Sequence, residues 1–194
     1  MTTANPLDNT QNPNLDNGLN LAVASPLAMG AGQIDPNGAL DPGLIYDATP
    51  QDYANILCSV NFTTSQIMTI TRSNGYNCSN PSSDLNYPSF ISLYGFEAGV
   101  IVQKFERTAT NVGYGGGTYK VNVTAAKGTT IKVSPKTLVF RKKYDKQSYS
   151  LTIKYIRDAG APINSRTSSI VWVEENGKHT VRSPVVVAPS TEIF

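Results

Sequence analysis

The chain has 194 residues, 40% of them hydrophobic and only 15% charged, against roughly 25% charged in an average globular chain. That length holds one domain, or one domain and part of another, and the apolar share excludes a disordered polyelectrolyte. No run of about 18 apolar residues occurs, so no membrane span is expected. One histidine and two cysteines exclude His-rich metal sites and four-cysteine zinc sites; no metal and no cofactor is expected. The net charge of +2 hides a split. Residues 1–85 carry one basic residue, Arg72, against seven acids, a net −6, whereas residues 86–194 carry fifteen basic residues against seven acids, a net +8. Such asymmetry marks an interaction surface or two units of different character, and nucleic acid is the first partner to weigh for the basic half.

In chain order, residues 1–20 are rich in Asn, Asp and Pro and read as loop, without the basic and apolar regions of a signal peptide. Ser25 to Asp47 is dense in turn formers, notably Pro36-Asn37-Gly38 and Asp41-Pro42-Gly43. A helix is predicted next: Thr49 caps it, Pro50 suits its first position, Asp52 lies in its first turn, and Tyr53, Ile56 and Leu57 supply an apolar face. A second short helix is predicted over Thr64–Thr71, followed by loops around Asn74-Gly75 and Asn80-Pro81.

After about Asn86 the period changes to two. Tyr119, Val121 and Val123 alternate with polar residues, as do Ile131 and Val133, Leu138 and Phe140, and Tyr149, Leu151, Ile153 and Tyr155. Val171 and Val173 enclose Trp172, and Val185 to Val187 close the series. Asn176-Gly177 predicts a tight hairpin with both turn residues at positive φ. Seven or so short strands in about 100 residues predict an antiparallel β-sandwich.

Four features invite chemistry. Cys58 and Cys78 form either a disulfide or two buried thiols. Three glycosylation sequons, at Asn61, Asn77 and Asn122, favour an oxidising compartment and hence the disulfide. His179 reads as a general base beside a serine or, preferred here, as a surface histidine near a hairpin; no Gly-x-Ser-x-Gly elbow accompanies it. The Gly113–Gly117 cluster lacks the Lys-Ser/Thr pair of a phosphate loop and reads as a mobile connection. Arg141, Lys142, Lys143 and Lys146 read as a solvated basic loop rather than a nucleic-acid site.

Longer motifs give the chain a family likeness. Ala24-Ser25-Pro26-Leu27-Ala28-Met29-Gly30-Ala31-Gly32-Gln33-Ile34-Asp35-Pro36 resembles the segment near the end of the catalytic domain in plant subtilisin-like serine proteases (subtilases). Ala39-Leu40-Asp41-Pro42-Gly43-Leu44-Ile45-Tyr46-Asp47 continues it, and Asp52-Tyr53 and Leu57-Cys58 resemble the family's following helix. Asp84-Leu85-Asn86-Tyr87-Pro88-Ser89-Phe90 is similar to its junction into a fibronectin type III-like domain. Arg107-Thr108-Ala109-Thr110-Asn111-Val112-Gly113 and Val181-Arg182-Ser183-Pro184-Val185-Val186-Val187 resemble strands of that domain.

The resemblance implies a mainly β chain: residues 1–85 as the end of an α/β subtilisin-like protease domain, and residues 86–194 as a fibronectin III-like sandwich. It supports pairing of Cys58 with Cys78 and an extracellular or cell-wall destination for the parent protein. It puts the catalytic Asp, His and Ser, the oxyanion-hole Asn, the signal peptide and the propeptide upstream of Met1. No catalytic residue is therefore carried over. The implied function is a non-catalytic structural and interaction module of a serine endopeptidase. Its partners would be the parent protease domain, packed in cis, and homodimer contacts, not nucleic acid or membrane. The alternatives are a regulatory protein competing for a subtilase interface or propeptide, and a reading frame begun at an internal methionine. Residues 1–85, separated from the sheet they would pack against, are expected to be loose.

Overall fold

A computed structural model describes residues 1–95, 97, 99–157 and 164–190. The first half holds short elements. Strands β1 (Leu15–Asp16) and β2 (Ala22–Val23) form a two-stranded ribbon; then come helices α1 (Pro26–Met29) and α2 (Pro36–Leu40), strand β3 (Leu44–Tyr46), and helices α3 (Pro50–Ser59) and α4 (Thr64–Thr71). The second half is all strand: β4 (Phe90–Tyr94), β5 (Gly99–Asn111), β6 (Gly117–Thr124), β7 (Thr129–Ser134), β8 (Thr137–Phe140), β9 (Lys146–Arg157), β10 (Arg166–Glu174) and β11 (Thr180–Pro189). Among the described residues no helix is long and apolar enough to cross a membrane.

Two sheets face each other, ordered β4-β11-β10-β6-β8 and β3-β5-β9-β7. The pairings are antiparallel except that β11 runs parallel to β4. The mainly β sandwich matches the fold class expected from the alternating pattern. Between the sheets Tyr149, Leu151, Ile153 and Tyr155 of β9 meet Ile170 and Trp172 of β10. Trp172 is fully buried and packs edge-on against Tyr149, ring centroids 5.0 Å apart. Aromatic pairs of this kind add about 1 kcal/mol beyond the area they bury.

Two details of the strand reading need correction. Val171 and Val173 lie half-buried on the outer face of β10, while Trp172 points inward with Ile170 and Glu174. The β10–β11 hairpin is also wider than the two-residue turn expected. Glu174 pairs with His179 through Glu174 N–H donating to His179 O, Gly177 N–H donates to Glu174 O, and only Gly177 has positive φ.

The expected looseness of residues 1–85 does not hold. Strand β3 pairs with Ala109–Asn111 of β5, which makes it an edge strand of the sandwich, upstream of the expected join at Asn86. Tyr46 reaches the core, its hydroxyl 2.7 Å from that of Tyr149. Helix α1 packs on the outer face of β11, where Arg182 N–H donates to Thr2 O (3.0 Å) and Arg182 Nη1 to Ala31 O (3.0 Å). The backbone of β3, Thr2 O and Ala31 O thus find partners on the sandwich.

Arg107, buried at 4% exposure, fixes the junction. Its guanidinium pairs with Asp84 and donates to Tyr87 O (2.8 Å), Glu106 O (2.8 Å) and Ser89 O (3.4 Å), and it lies over the Phe90 ring. Asn86 completes the splice: its Nδ2 donates to Asp47 O (2.8 Å) and Thr108 O (2.9 Å), and its Oδ1 accepts from Thr108 N–H (2.9 Å).

Helices α3 and α4 form at their predicted places, each with a capping box: Thr49 with Asp52, and Thr63 with Gln66. The buried face of α3 matches the predicted one in part: Leu57 packs on the small core that Ala54 and Cys58 form with Ile67 of α4, whereas Tyr53 is half-exposed. The Cys58–Cys78 disulfide selects that face, because it pulls Cys58 toward the loop after α4.

Because the small core of α3 and α4 is separate from the sandwich core, loss of the disulfide should act locally. Closing a loop across a sequence separation of 20 stabilises by about 3 kcal/mol. The Cys58→Ser/Cys78→Ser pair should keep the main thermal transition while amides of α3 and α4 exchange faster; hydrogen-exchange mass spectrometry reads both.

Candidate functional site

The densest group of ionisable side chains lies where the residues before β3 cross the β10–β11 hairpin. Glu174 comes from the end of β10, Lys178 and His179 from the hairpin, Tyr119 from β6, and Asp41 from the turn after α2. His179 Nδ1 is 2.6 Å from Glu174 Oε2, and His179 Nε2 is 3.0 Å from Asp41 Oδ1. Lys178 Nζ reaches the other Asp41 oxygen at 2.8 Å. Tyr119 Oη stands 3.5 Å from His179 Nδ1.

His179 is therefore not the surface residue expected. It is 6% exposed, because Gly43 packs directly on it. A Cβ at Gly43 would sit 2.6 Å from His179 Cβ and 2.8 Å from the Tyr119 hydroxyl, and its φ of +73° is one that glycine adopts freely. Gly43 O in turn accepts from Val112 N–H (2.8 Å). The turn Asp41-Pro42-Gly43, legible as a turn, is thus a close crossing of two backbones.

Electrostatics follow from the geometry. Hydrogen bonds from Lys178 and then His179 hold the Asp41 carboxyl below its ordinary value. The Lys178 ammonium is raised in return, chiefly by Asp41. Burial first, then the charges of Glu174 and Asp41, push the Tyr119 phenol up. His179 Nδ1 is bonded to Glu174 and Nε2 faces Asp41, and among the described residues no serine hydroxyl is hydrogen-bonded to the ring. The group is a clasp between two chain segments. A cleft of about 360 Å³ opens beside it, lined by Thr2, Thr3, Asp35, Lys178 and Arg182 among others. Among the described residues no group of three His, Cys, Asp or Glu side chains could hold a metal ion.

The other singled-out residues lie apart from the clasp. Cys58 and Cys78 are bonded beside α3. Asn61 follows α3 in a left-handed conformation (φ 65°), Asn77 is in the loop next to the disulfide, and Asn122 lies on β6 opposite Val171; all three side chains are exposed. Arg141, Lys142, Lys143 and Lys146 are exposed, as a solvated loop requires. Sequence reasoning missed Asp41, Glu174 and Arg107 as buried or half-buried partners. Glu174 was within reach of it: a carboxylate five residues before a histidine, across a hairpin signal, places the two side by side.

Two outcomes are expected. Gly43→Ala should destabilise the chain by about 1–3 kcal/mol in urea unfolding, through the forced contact with His179 and the positive φ. The stabilisation from Asp41, whose folded value lies below 3.8, is fully present above that value and is lost as pH falls through the lower folded one. An Asp41→Asn variant should accordingly lose part of the parent's acid dependence of melting temperature below about pH 4.

Residues 84–187 match the protein-family description "Fibronectin type-III domain". Over its full length the chain is 59% identical to subtilisin-like protease SBT3 of Solanum lycopersicum, covering 26% of that protein. It is 42% identical to subtilisin-like protease SBT1.7 of Arabidopsis thaliana, with 85% of the chain and 21% of the relative aligned. It is 38% identical to SBT1.3 of the same plant, with 96% and 24% aligned. The chain thus spans about a quarter of the length of the curated relatives it matches. By these matches the chain carries a fibronectin type-III domain and is homologous, along its length, to part of the plant subtilisin-like proteases.

Proposed function

We propose that this chain is a non-catalytic structural and interaction module of a subtilisin-like serine endopeptidase, seated against the body of the protease domain. The observation that carries this is that its first half is fixed to β5, β11 and the β10–β11 hairpin yet leaves Ile34 85% and Leu40 86% exposed, with Leu19, Leu21 and Val23 also exposed. Aliphatic side chains so fully exposed on a backbone so firmly held mark a surface made to be covered. The relatives' extra length supplies a protein body to cover it.

Proteolysis belongs, on this reading, to the complete protein, with an acyl-transfer triad outside these 194 residues. The disulfide fits an oxidising, extracellular destination. The exposed Asn61, Asn77 and Asn122 would then carry glycans, their side chains open to solvent. Mass spectrometry of the chain expressed through a eukaryotic secretory pathway should find Asn122 occupied, since its strand position leaves room for a glycan.

The reading is tested by co-expression with the remainder of the tomato relative, truncated where the alignment with this chain begins. Co-purification and recovery of labelling by a fluorophosphonate serine-hydrolase probe are expected. Ile34→Asp/Leu40→Asp should abolish both while leaving the chain's own melting temperature unchanged. Absence of association, or probe labelling of this chain by itself, would overturn the reading.

A further inference from the structure

Two tyrosines stand out from the end of the sandwich that carries the clasp. Tyr114, between β5 and β6, is 86% exposed, and Tyr144, between β8 and β9, is 68% exposed. Lys143 Nζ lies 5.5 Å from the Tyr114 ring centroid and 5.2 Å from that of Tyr144, and Lys178 Nζ lies 5.5 Å from Tyr114. Ammonium groups at such distances sit on the electron-rich faces of the rings.

The backbone beneath these side chains is fixed. Asn111, 2% exposed, donates its Nδ2 to Gly115 O (2.7 Å) and to Lys142 O (3.1 Å), tying the two loops together. Tyr144 N–H donates to Asn111 O (2.7 Å), and Asn111 N–H to Asp145 O (3.0 Å). Tyr144 itself is held at φ 65°, a left-handed conformation that an aromatic residue keeps only when its surroundings impose it. The glycine cluster expected to be a mobile connection is thus bridged to its neighbour from below.

Charge at this end is unbalanced. Arg141, Lys142 and Lys143 are exposed and form no ion pair among the described residues. The nearby Asp145 carboxylate is engaged by the backbone N–H groups of Arg141 (2.9 Å) and Lys146 (3.0 Å). Exposed aromatic rings on a preordered backbone, beside cations without counter-charges, form a surface whose ordering cost is already met before a ligand arrives.

We propose that Tyr114, Tyr144 and the Arg141–Lys143 run bind an acidic polysaccharide, a polymer of uronic acids. Its carboxylates would draw Lys143 and its neighbours off the rings into ion pairs, and its sugar rings would lay their C–H groups on the phenol faces so freed. One feature favours this ligand over nucleic acid: a chain with a structural disulfide works in oxidising surroundings, outside the cytosol and nucleus where nucleic acid is found.

The test is binding of the full chain to immobilised polygalacturonate, with neutral galactan and single-stranded DNA as comparison probes. Binding to polygalacturonate that weakens with added salt, and little to galactan, is expected. Tyr114→Ser/Tyr144→Ser, which leaves the charge unchanged, should weaken it about tenfold, and Lys142→Gln/Lys143→Gln should do so to a similar degree. All four positions are exposed, so melting temperatures should stay at the parent value. No binding at low salt, undiminished binding by the tyrosine variant, or equal or tighter binding of single-stranded DNA would each overturn the proposal.

Discussion

Strand β11 is buried on both of its faces, and the arrangement of the whole chain follows from that. On the inner side Val185 and Val187 close the core around Trp172. On the outer side Val186 lies under residues of the N-terminal segment, with Pro26, Leu27 and Ala31 against it. Its edges are taken by β10 in one direction and by β4 in the other. Arg182 adds two bonds from this strand to Thr2 and Ala31. A central strand enclosed in this way gives up several side chains' worth of apolar surface, each contributing about 1.5–3 kcal/mol. The first thirty residues, which have almost no core of their own, gain their order from it.

Buried polar and charged side chains do the rest of the joining, and each connects the two halves. Arg107 receives carbonyls and a carboxylate from the linker, and His179 is held between Asp41 and Glu174. A buried ion left without its partner costs several kcal/mol, so such groups specify an arrangement more firmly than they stabilise it. The halves that differ so sharply in net charge meet through particular pairs: Asp84 with Arg107, Asp47 with Lys146, and Asp41 with Lys178 and His179. The charge asymmetry of the sequence is in part the sum of these pairs seen from one side.

Much of this was legible beforehand. Thr49-Pro50 announces a helix because capping is local chemistry. The strands β6 to β9 announce themselves because one face is wet and alternation survives. The reading fails where burial is two-sided. Val185-Val186-Val187 has no alternation, as befits a strand covered on both faces, but nothing in the run itself names the N-terminal segment as the cover. The looseness expected for residues 1–85 failed for the same reason: the partner of that segment is far away in sequence. Periodicity could not orient Trp172 either, since β10 has apolar residues on both sides. The clasp stayed hidden because Asp41 and His179 are brought together only by the close passage of Gly43, and nothing local to either residue signals the other.

The parallel pairing of β4 with β11 has a consequence for the order of assembly. Within their own sheet β4 comes first in chain order and β11 last, so these neighbours are separated by nearly the whole domain. Their contact cannot form during synthesis until the last strand has left the ribosome. Long-range pairings of this kind are slow to form, because the loop between them must be closed first. The segment before β3, whose anchor is also β11, emerges before the sandwich strands and docks only when the last of them is made. During that interval its aliphatic side chains have no surface to rest on, and it is then that this chain is most open to aggregation and to chaperones.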